Sequence, residues 1–294
     1  MPIRQFGPRP WIRAERERLA ALRFDRIGVR PLAATVGAEL SGIDLSHVDD
    51  ATFEEIRRAF LEFKVVFFRD QDITADQQVA FARRFGELEE HPFLPSKEGE
   101  EKIVQFAKDE RVIGVENVWH NDVTWRECPA MAAILRAVDV PPTGGDTLFV
   151  DTAMAYEGLD DELKHQLDDA VAIHDFTHSF GLAMEPEELK RQQAKFPAQR
   201  HPLVLTHPET RRRHLYVNAI FTSHIEGLPR DESDALLDRL YREMDVPEYQ
   251  CRFRWEKNSV AFWDNRAVQH YAASDYDPQI RIMERVAIIG DKPS

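Results

Sequence analysis

From about residue 130 to the C-terminus the apolar content of the chain is broken into short segments, at 131–138, 147–151, 214–218, 251–255, 259–263 and 284–289. Strand-length segments at this spacing favour an antiparallel β architecture. Upstream, residues 52–63 place Phe53, Ile56, Phe60 and Phe63 at helical spacing, and the run Val65-Val66-Phe67-Phe68 that follows reads as a buried strand. Thr74 to Gln77 forms a capping-box signature ahead of Val79, Ala82 and Phe85, predicting a second helix that ends near Gly86. Residues 185–198 are polar and helix-prone, and residues 232–244 set Leu236, Leu237, Leu240, Tyr241 and Met244 on one face of an outer packing helix. The class is therefore mainly β with flanking helices, an α+β arrangement. No internal repeat, low-complexity tract or Gly/Ser linker divides the chain. The expected organisation is an N-terminal helical arm over 1–26 and one domain over 27–294 with an insert at about 181–205; long inserts beside active sites often close over them.

With 294 residues and 43% hydrophobic content the chain can bury a sizeable core. A formal net charge of -14 disfavours nucleic acid and anionic membrane surfaces as partners, so any anionic ligand must be held by local cations. Cys128 and Cys251 are far apart and in no C-x-x-C pairing, which suggests neither a disulfide framework nor structural zinc and fits a reducing, cytoplasmic location. The first thirty residues carry eight Arg beside Glu15, Glu17 and Asp25, with no apolar run suited to a signal peptide, and no later segment reaches membrane-spanning length. That stretch reads as an oligomer contact or as a solvated charged face. A homo-oligomer, dimer or tetramer, is expected.

The chemistry lies in two motifs, Trp119-His120-Asn121-Asp122 and Trp263-Asp264-Asn265-Arg266-Ala267-Val268-Gln269-His270. His120 and Asp122 are two apart, so on a strand both face one way, and His270 from a distant strand completes a third ligand. Two imidazoles and one carboxylate on one side of an octahedron leave three positions open, the arrangement used by non-heme Fe(II) oxygenases. By itself a His-X-Asp pair is more often a hydrogen-bonded surface or turn feature. Arg281 and Arg285, four apart, would present two guanidiniums to one face of a strand. Burying both is costly unless two anions sit there. Alone, Arg281 would be read equally well as half of a surface salt bridge.

Thr143-Gly144-Gly145-Asp146-Thr147-Leu148, together with Trp119 to Thr124 and Trp263 to Arg285, resembles the taurine dioxygenase family of 2-oxoglutarate-dependent oxygenases. The likeness runs from Gly37-Ala38-Glu39-Leu40-Ser41-Gly42 through Phe85-Gly86-Glu87-Leu88 to Gly290-Asp291-Lys292-Pro293. It implies a double-stranded β-helix, a cupin-like jelly roll, with Fe(II), 2-oxoglutarate and O2 as cofactor and co-substrates. Carried over residue by residue, His120, Asp122 and His270 match the iron ligands. Related halogenating enzymes lack the acid, so Asp122 argues for hydroxylation. Thr147 and Arg281 match the pair on the distal carboxylate of 2-oxoglutarate; a planar guanidinium fork suits a carboxylate and a hydroxyl adds a donor.

By the same resemblance, Arg285, His91 and the backbone N–H of Val123 grip a sulfonate or sulfate group. His91, in Glu89-Glu90-His91-Pro92, would without that match be a solvated loop histidine with an upward-biased pKa. Ser179, Phe180 and Phe221 correspond to residues over the substrate chain, with plain aromatic core packing as the alternative. Where the taurine enzyme has a Tyr and an Asn near the substrate amine, this chain aligns Leu94, which makes the pocket less polar, and Glu116, which could pair with an ammonium. The expected reaction is hydroxylation next to sulfur in a small organosulfonate such as taurine, giving sulfite and an aldehyde with succinate and CO2. The alternatives are an alkyl sulfate ester dioxygenase and an aryloxyalkanoate-type enzyme. A metal-retaining jelly-roll binding protein and a zinc hydrolase are rivals of other classes, tested by 2-oxoglutarate turnover and by dependence on oxygen.

Overall fold

The computed structural model describes residues 7–112 and 114–294. Eight strands form the main sheet, in the order Gly28–Pro31, Ala38–Ser41, Val65–Phe68, Val260–Asp264, Ala130–Asp139, Arg281–Ile289, Glu100–Lys108 and Ser96–Lys97. Ala38–Ser41 runs parallel to Val65–Phe68, and the other neighbours are antiparallel. A three-stranded sheet of Gln250–Phe253, Thr147–Asp151 and Val268–Ala272 packs against one of its faces. Together they make a jelly roll whose sheets do not close on each other.

Period-two alternation along each strand builds two cores from one sheet. Phe67, Ala133, Leu135, Trp263, Met283 and Ala287 point inward and meet Phe149, Phe253 and Val268 of the smaller sheet. Phe67 and Phe253 stack with ring centroids 4.0 Å apart. The alternate residues Val66, Phe68, Ile134, Phe262, Val286 and Ile288 point outward, under the helices Asp50–Phe63 and Ala75–Arg83. There Phe60 of the first helix stacks on Phe262 at 4.1 Å. Each buried aromatic or aliphatic side chain of this kind contributes roughly 1.5–3 kcal/mol. Helices Thr152–Glu157, Asp161–Leu167 and Arg230–Tyr241 cover the outer face of the smaller sheets through Met154, Leu163, Leu167, Leu237 and Leu240.

Local sequence explains the element ends. Asp49 accepts from the Thr52 N–H to start one helix, and Thr74 with Gln77 forms the complete capping box of the next. The anticipated strand at 214–218 is shorter, Arg213–Leu215, paired with Val204–Thr206. Within the 181–205 stretch the chain forms a 3-10 turn, Phe180–Ala183, the helix Pro186–Lys195 and the strand Gln199–Pro202, which pairs with Val171–His174. The stretch is thus sewn to the body along its last part.

At the N-terminus the first six residues of the expected arm lie outside the described residues. Helix Pro10–Ala20 buries Glu15 and Leu19 against the body of the same chain. Glu15 is bonded by Arg18 at 2.9 Å, Arg212 at 2.5 Å and the buried Lys64 at 3.2 Å. Burial works to raise its pKa, but these three cations outweigh it and hold the carboxyl well below the usual range. Among the described residues no helix is long and apolar enough to cross a membrane.

Candidate active site

His270 lies on the strand Val268–Ala272, and His120 faces it across an isolated antiparallel bridge, each backbone N–H donating to the other's carbonyl at 3.1 and 2.9 Å. The expectation that Asp122 shares a strand with His120 is corrected by the structure. After His120 the chain leaves the bridge and turns, with Val123 at a φ of 48°. A β-branched residue in the left-handed region costs on the order of 1–3 kcal/mol and persists only when its surroundings impose it. The imposing groups are two asparagines. Asn265 accepts from the Asp122 N–H at 2.7 Å and donates to the carbonyls of Asp122 and Ala130 at 3.0 and 2.9 Å. Asn121 donates to the carbonyls of Asn265 and Val268 at 2.8 and 2.9 Å. The two motifs therefore clamp each other, and the turn brings Asp122 beside the two imidazoles.

One ligand atom each from His120, Asp122 and His270 lies within 4.8 Å of the others. The His120 Nδ1 donates to the Val118 carbonyl at 2.8 Å, which orients the ring and turns Nε2 toward Asp122, 3.9 Å from its Oδ1. Burial pushes the His270 pKa down to about 3, with His120 and Arg285 acting the same way, so at neutral pH this ring offers a lone pair. Burial would raise Asp122, but Arg285, donating from Nη1 at 2.8 Å, together with His270 and His120 holds it at about 2. Asp122 Oδ2 and His270 Nδ1 are buried with no hydrogen-bond partner among the described residues. An ionised Asp122 and a neutral His270, both with orphaned atoms, beside His120 are what a borderline divalent metal such as Fe(II) requires.

Arg281 stands on the strand Arg281–Ile289, directly opposite Lys108 of Glu100–Lys108, and Arg285 follows on the same face opposite Val104. The Arg281 guanidinium donates from Nε to the Gly145 carbonyl at 3.2 Å, while its Nη2 is buried without a partner. Gly145, at a φ of 69°, lets the loop approach closely: a Cβ there would come within 3.1 Å of the Arg281 side chain. Thr147 begins the next strand, and its hydroxyl accepts from the Trp255 indole at 2.9 Å. Arg285 keeps a buried, unpartnered Nε beyond its bond to Asp122. Two half-satisfied guanidiniums in one cavity are anion sites in waiting.

At the other end His91 accepts at Nδ1 from the N–H groups of Phe93 and Leu94, at 3.2 and 3.0 Å. Burial first, then Arg285, lowers its pKa to about 3. It is thus neutral with its proton on Nε2, a correction to the solvated, upward-biased reading. Phe180 lies 5.3 Å from His91 and 6.2 Å from Phe221, ring to ring. Ser179 turns its hydroxyl onto the Phe176 carbonyl at 3.0 Å. Glu116, offered by the sequence to a substrate ammonium, is already bonded to Lys108 at 2.7 Å. Burial raises it, Lys108 more than offsets this, and the carboxyl ends below its usual range.

All thirteen residues singled out from the sequence, His91, Leu94, Glu116, His120, Asp122, Val123, Thr147, Ser179, Phe180, Phe221, His270, Arg281 and Arg285, line one cavity of about 600 Å³. Lys108, Phe106, Val115, His178, Leu182, Ala219 and Ile220 line it too and were missed. Phe106 and Lys108 escaped because charges at Glu100, Glu101 and Lys102 obscure the alternation of their strand. The asparagine clamp carried a signal, one Asn in each metal motif.

Residues 28–287 match the model of the family described as Taurine catabolism dioxygenase TauD, TfdA family. The chain is 37% identical to an α-ketoglutarate-dependent sulfate ester dioxygenase of Pseudomonas putida, over 93% of this chain and 92% of that one. It is 36% identical to an alkylsulfatase of Acinetobacter baylyi, over 90% and 86%. Its fold is similar to the crystal structure of a taurine dioxygenase from Burkholderia xenovorans, with a TM-score of 0.79, 39% identity and coverage of 92% and 91%.

Proposed function

The chain belongs to the taurine catabolism dioxygenase TauD, TfdA family of Fe(II)- and 2-oxoglutarate-dependent dioxygenases, and on that premise we propose that it hydroxylates the carbon next to sulfur in a small organosulfonate such as taurine. The observation that carries this reading is the gathering of the His120, Asp122 and His270 ligand atoms with two guanidiniums, each holding an unpartnered buried N–H, in one cavity. In this assignment His120, Asp122 and His270 hold the iron, which supplies the redox chemistry that couples decarboxylation of 2-oxoglutarate by O2 to hydroxylation of a C–H bond. Arg281 and Thr147 hold the far carboxylate of the co-substrate. Arg285, the neutral His91 through its Nε2–H, and the Val123 backbone N–H hold the acid group of the substrate. Leu94, Ser179, Phe180 and Phe221 flank the chain and exclude water. The hydroxysulfonate R–CH(OH)–SO3⁻ then breaks its C–S bond, the hydroxyl losing its proton, to give the aldehyde and hydrogensulfite.

A second reading, an alkyl sulfate ester as substrate with aldehyde and sulfate as products, is favoured by the wall. Leu94, Val115, Leu182 and Ile220 are apolar, and Glu116 is neutralised by Lys108 rather than free for an amine. The test is succinate formation from 2-oxoglutarate with Fe(II) and O2 across taurine, longer sulfonates, alkyl sulfates and aryloxyacetates, following sulfite and sulfate. Sulfite from taurine supports the first reading, and sulfate from alkyl sulfates with no turnover of taurine supports the second. Stimulation by aryloxyacetates alone would remove both organosulfur readings and keep only the chemistry.

A further inference from the structure

We infer that Trp255 is a positioning residue for the co-substrate, acting through Thr147: its indole N–H fixes the threonine hydroxyl as a donor into the cavity. The inference rests on the reading of Thr147 and Arg281 as the carboxylate cradle. Trp255 and Thr147 are 4% and 2% exposed, so the 2.9 Å bond between them is made out of reach of bulk water. An indole N–H can only donate, so the Thr147 oxygen must accept, and its single proton must point elsewhere. No protein acceptor for that proton occurs among the described residues, and the neighbouring Arg281 has only donors to offer. The hydroxyl proton and the Arg281 Nη2 are thereby left as two donors for one anion.

The backbone holds the pair in register. Thr147 is paired with Phe253 in one neighbouring strand and with Ala272 in the other. Trp255, two residues beyond Phe253, packs edge-on against the Phe253 ring, 5.0 Å away at 88°. Without the indole the hydroxyl is free to rotate and to turn a lone pair toward an arriving carboxylate. A donor bonded at its own oxygen is also polarised, which strengthens the bond it makes.

The test is the affinity of the Fe(II) protein, kept anaerobic, for 2-oxoglutarate and for 2-oxopentanoate, a 2-oxo acid of the same length without the far carboxylate, measured by calorimetry. Trp255→Phe keeps the ring and removes the N–H. It should raise the Kd of 2-oxoglutarate about three- to tenfold, the range for one neutral hydrogen bond, and leave 2-oxopentanoate unchanged. Thr147→Val should weaken 2-oxoglutarate at least as much, and adding Trp255→Phe to it should do nothing further. An additive double variant, or equal weakening of 2-oxopentanoate, would overturn the inference in favour of simple wall packing. If Thr147→Val leaves 2-oxoglutarate binding intact, the cradle reading itself fails. Thermal unfolding of each variant separates these outcomes from a folding defect.

Discussion

At the end of the cavity that carries His120, Asp122 and His270 each residue is held from behind: His120 by the Val118 carbonyl, the Asp122 backbone by Asn265 and its carboxylate by Arg285, and His270 by the rings of Trp263 and Phe149, 4.9 and 6.2 Å away. At the mouth the wall is made of loop residues, and Val115 and Leu182 are 67% and 79% exposed. The first region is buried, with His270 on a strand and Asp122 on a turn clamped by Asn265, and the second is open to solvent. On the proposed reading, chemistry that must be exact to fractions of an ångström would belong to the first, and selectivity, which tolerates repacking, to the second.

That contrast can be broken by experiment. Changing the metal end should be nearly all-or-none: His270→Ala should abolish succinate formation with every substrate and strip tight Fe(II) binding, while residual turnover above about one part in a thousand would mean that His270 is no ligand. Next in size, Arg285→Ala should lower kcat/KM for the sulfur substrate roughly a hundredfold or more, because a buried charge partner is lost, and weaken 2-oxoglutarate much less, by about tenfold at most, because Arg281 and Thr147 still hold its far carboxylate and only the bond to Asp122 is shared. Equal loss of both would end the division of labour between the two arginines. At the wall the effect should shrink. Leu94→Asn should cost about tenfold in kcat/KM for long-chain substrates and little for short ones, as expected for one contact on an apolar chain; a uniform loss over chain length would place Leu94 outside the chain path.

The smallest effect concerns proton uptake away from the cavity. Burial first, helped by His201 at His174 and by His207 and Lys64 at His214, drives the pKa of both rings well below the usual histidine value. An unfolded chain protonates both near the ordinary value of about 6.5, the folded chain refuses, and so stability is complete above that pH and falls as the pH drops below it. The melting temperature of the metal-free protein should therefore decline by a few degrees between pH 7 and pH 6, and less so in a His174→Gln, His214→Gln double variant. A flat profile would mean that these rings find protons in the fold.

The same division separates what could be read in the sequence from what could not. Helices at 50–63 and 75–83 and the strands Val65–Phe68, Gln250–Phe253, Val260–Asp264 and Arg281–Ile289 were legible because their apolar spacing follows one period without interruption. Glu100–Lys108 was not, since the charges at Glu100, Glu101 and Lys102 interrupt its alternation, and the strand Val268–Ala272 was read only through His270, because Gln269 and Tyr271 break its apolar pattern. The ligand trio was visible as residues, but its geometry was read wrongly as a strand. Nothing in the spacing of His120 and Asp122 signals the left-handed Val123, which depends on Asn265 from a distant part of the chain. Glu116 was legible as an acid and not as half of an ion pair, because its partner Lys108 stands eight residues away at the end of a strand whose own pattern was obscured.

The last strand carries Arg281, Met283 and Arg285 on one face and Glu284, clamped by Arg136 and Lys97 at 2.7 Å each, on the other. A slip of one residue in its pairing would exchange the faces, driving Glu284 against Asp122 and both guanidiniums under the helices. Such a misalignment would bury those charges without partners, so the register that turns both guanidiniums into the cavity is also the one whose wrong neighbours would be too costly to persist.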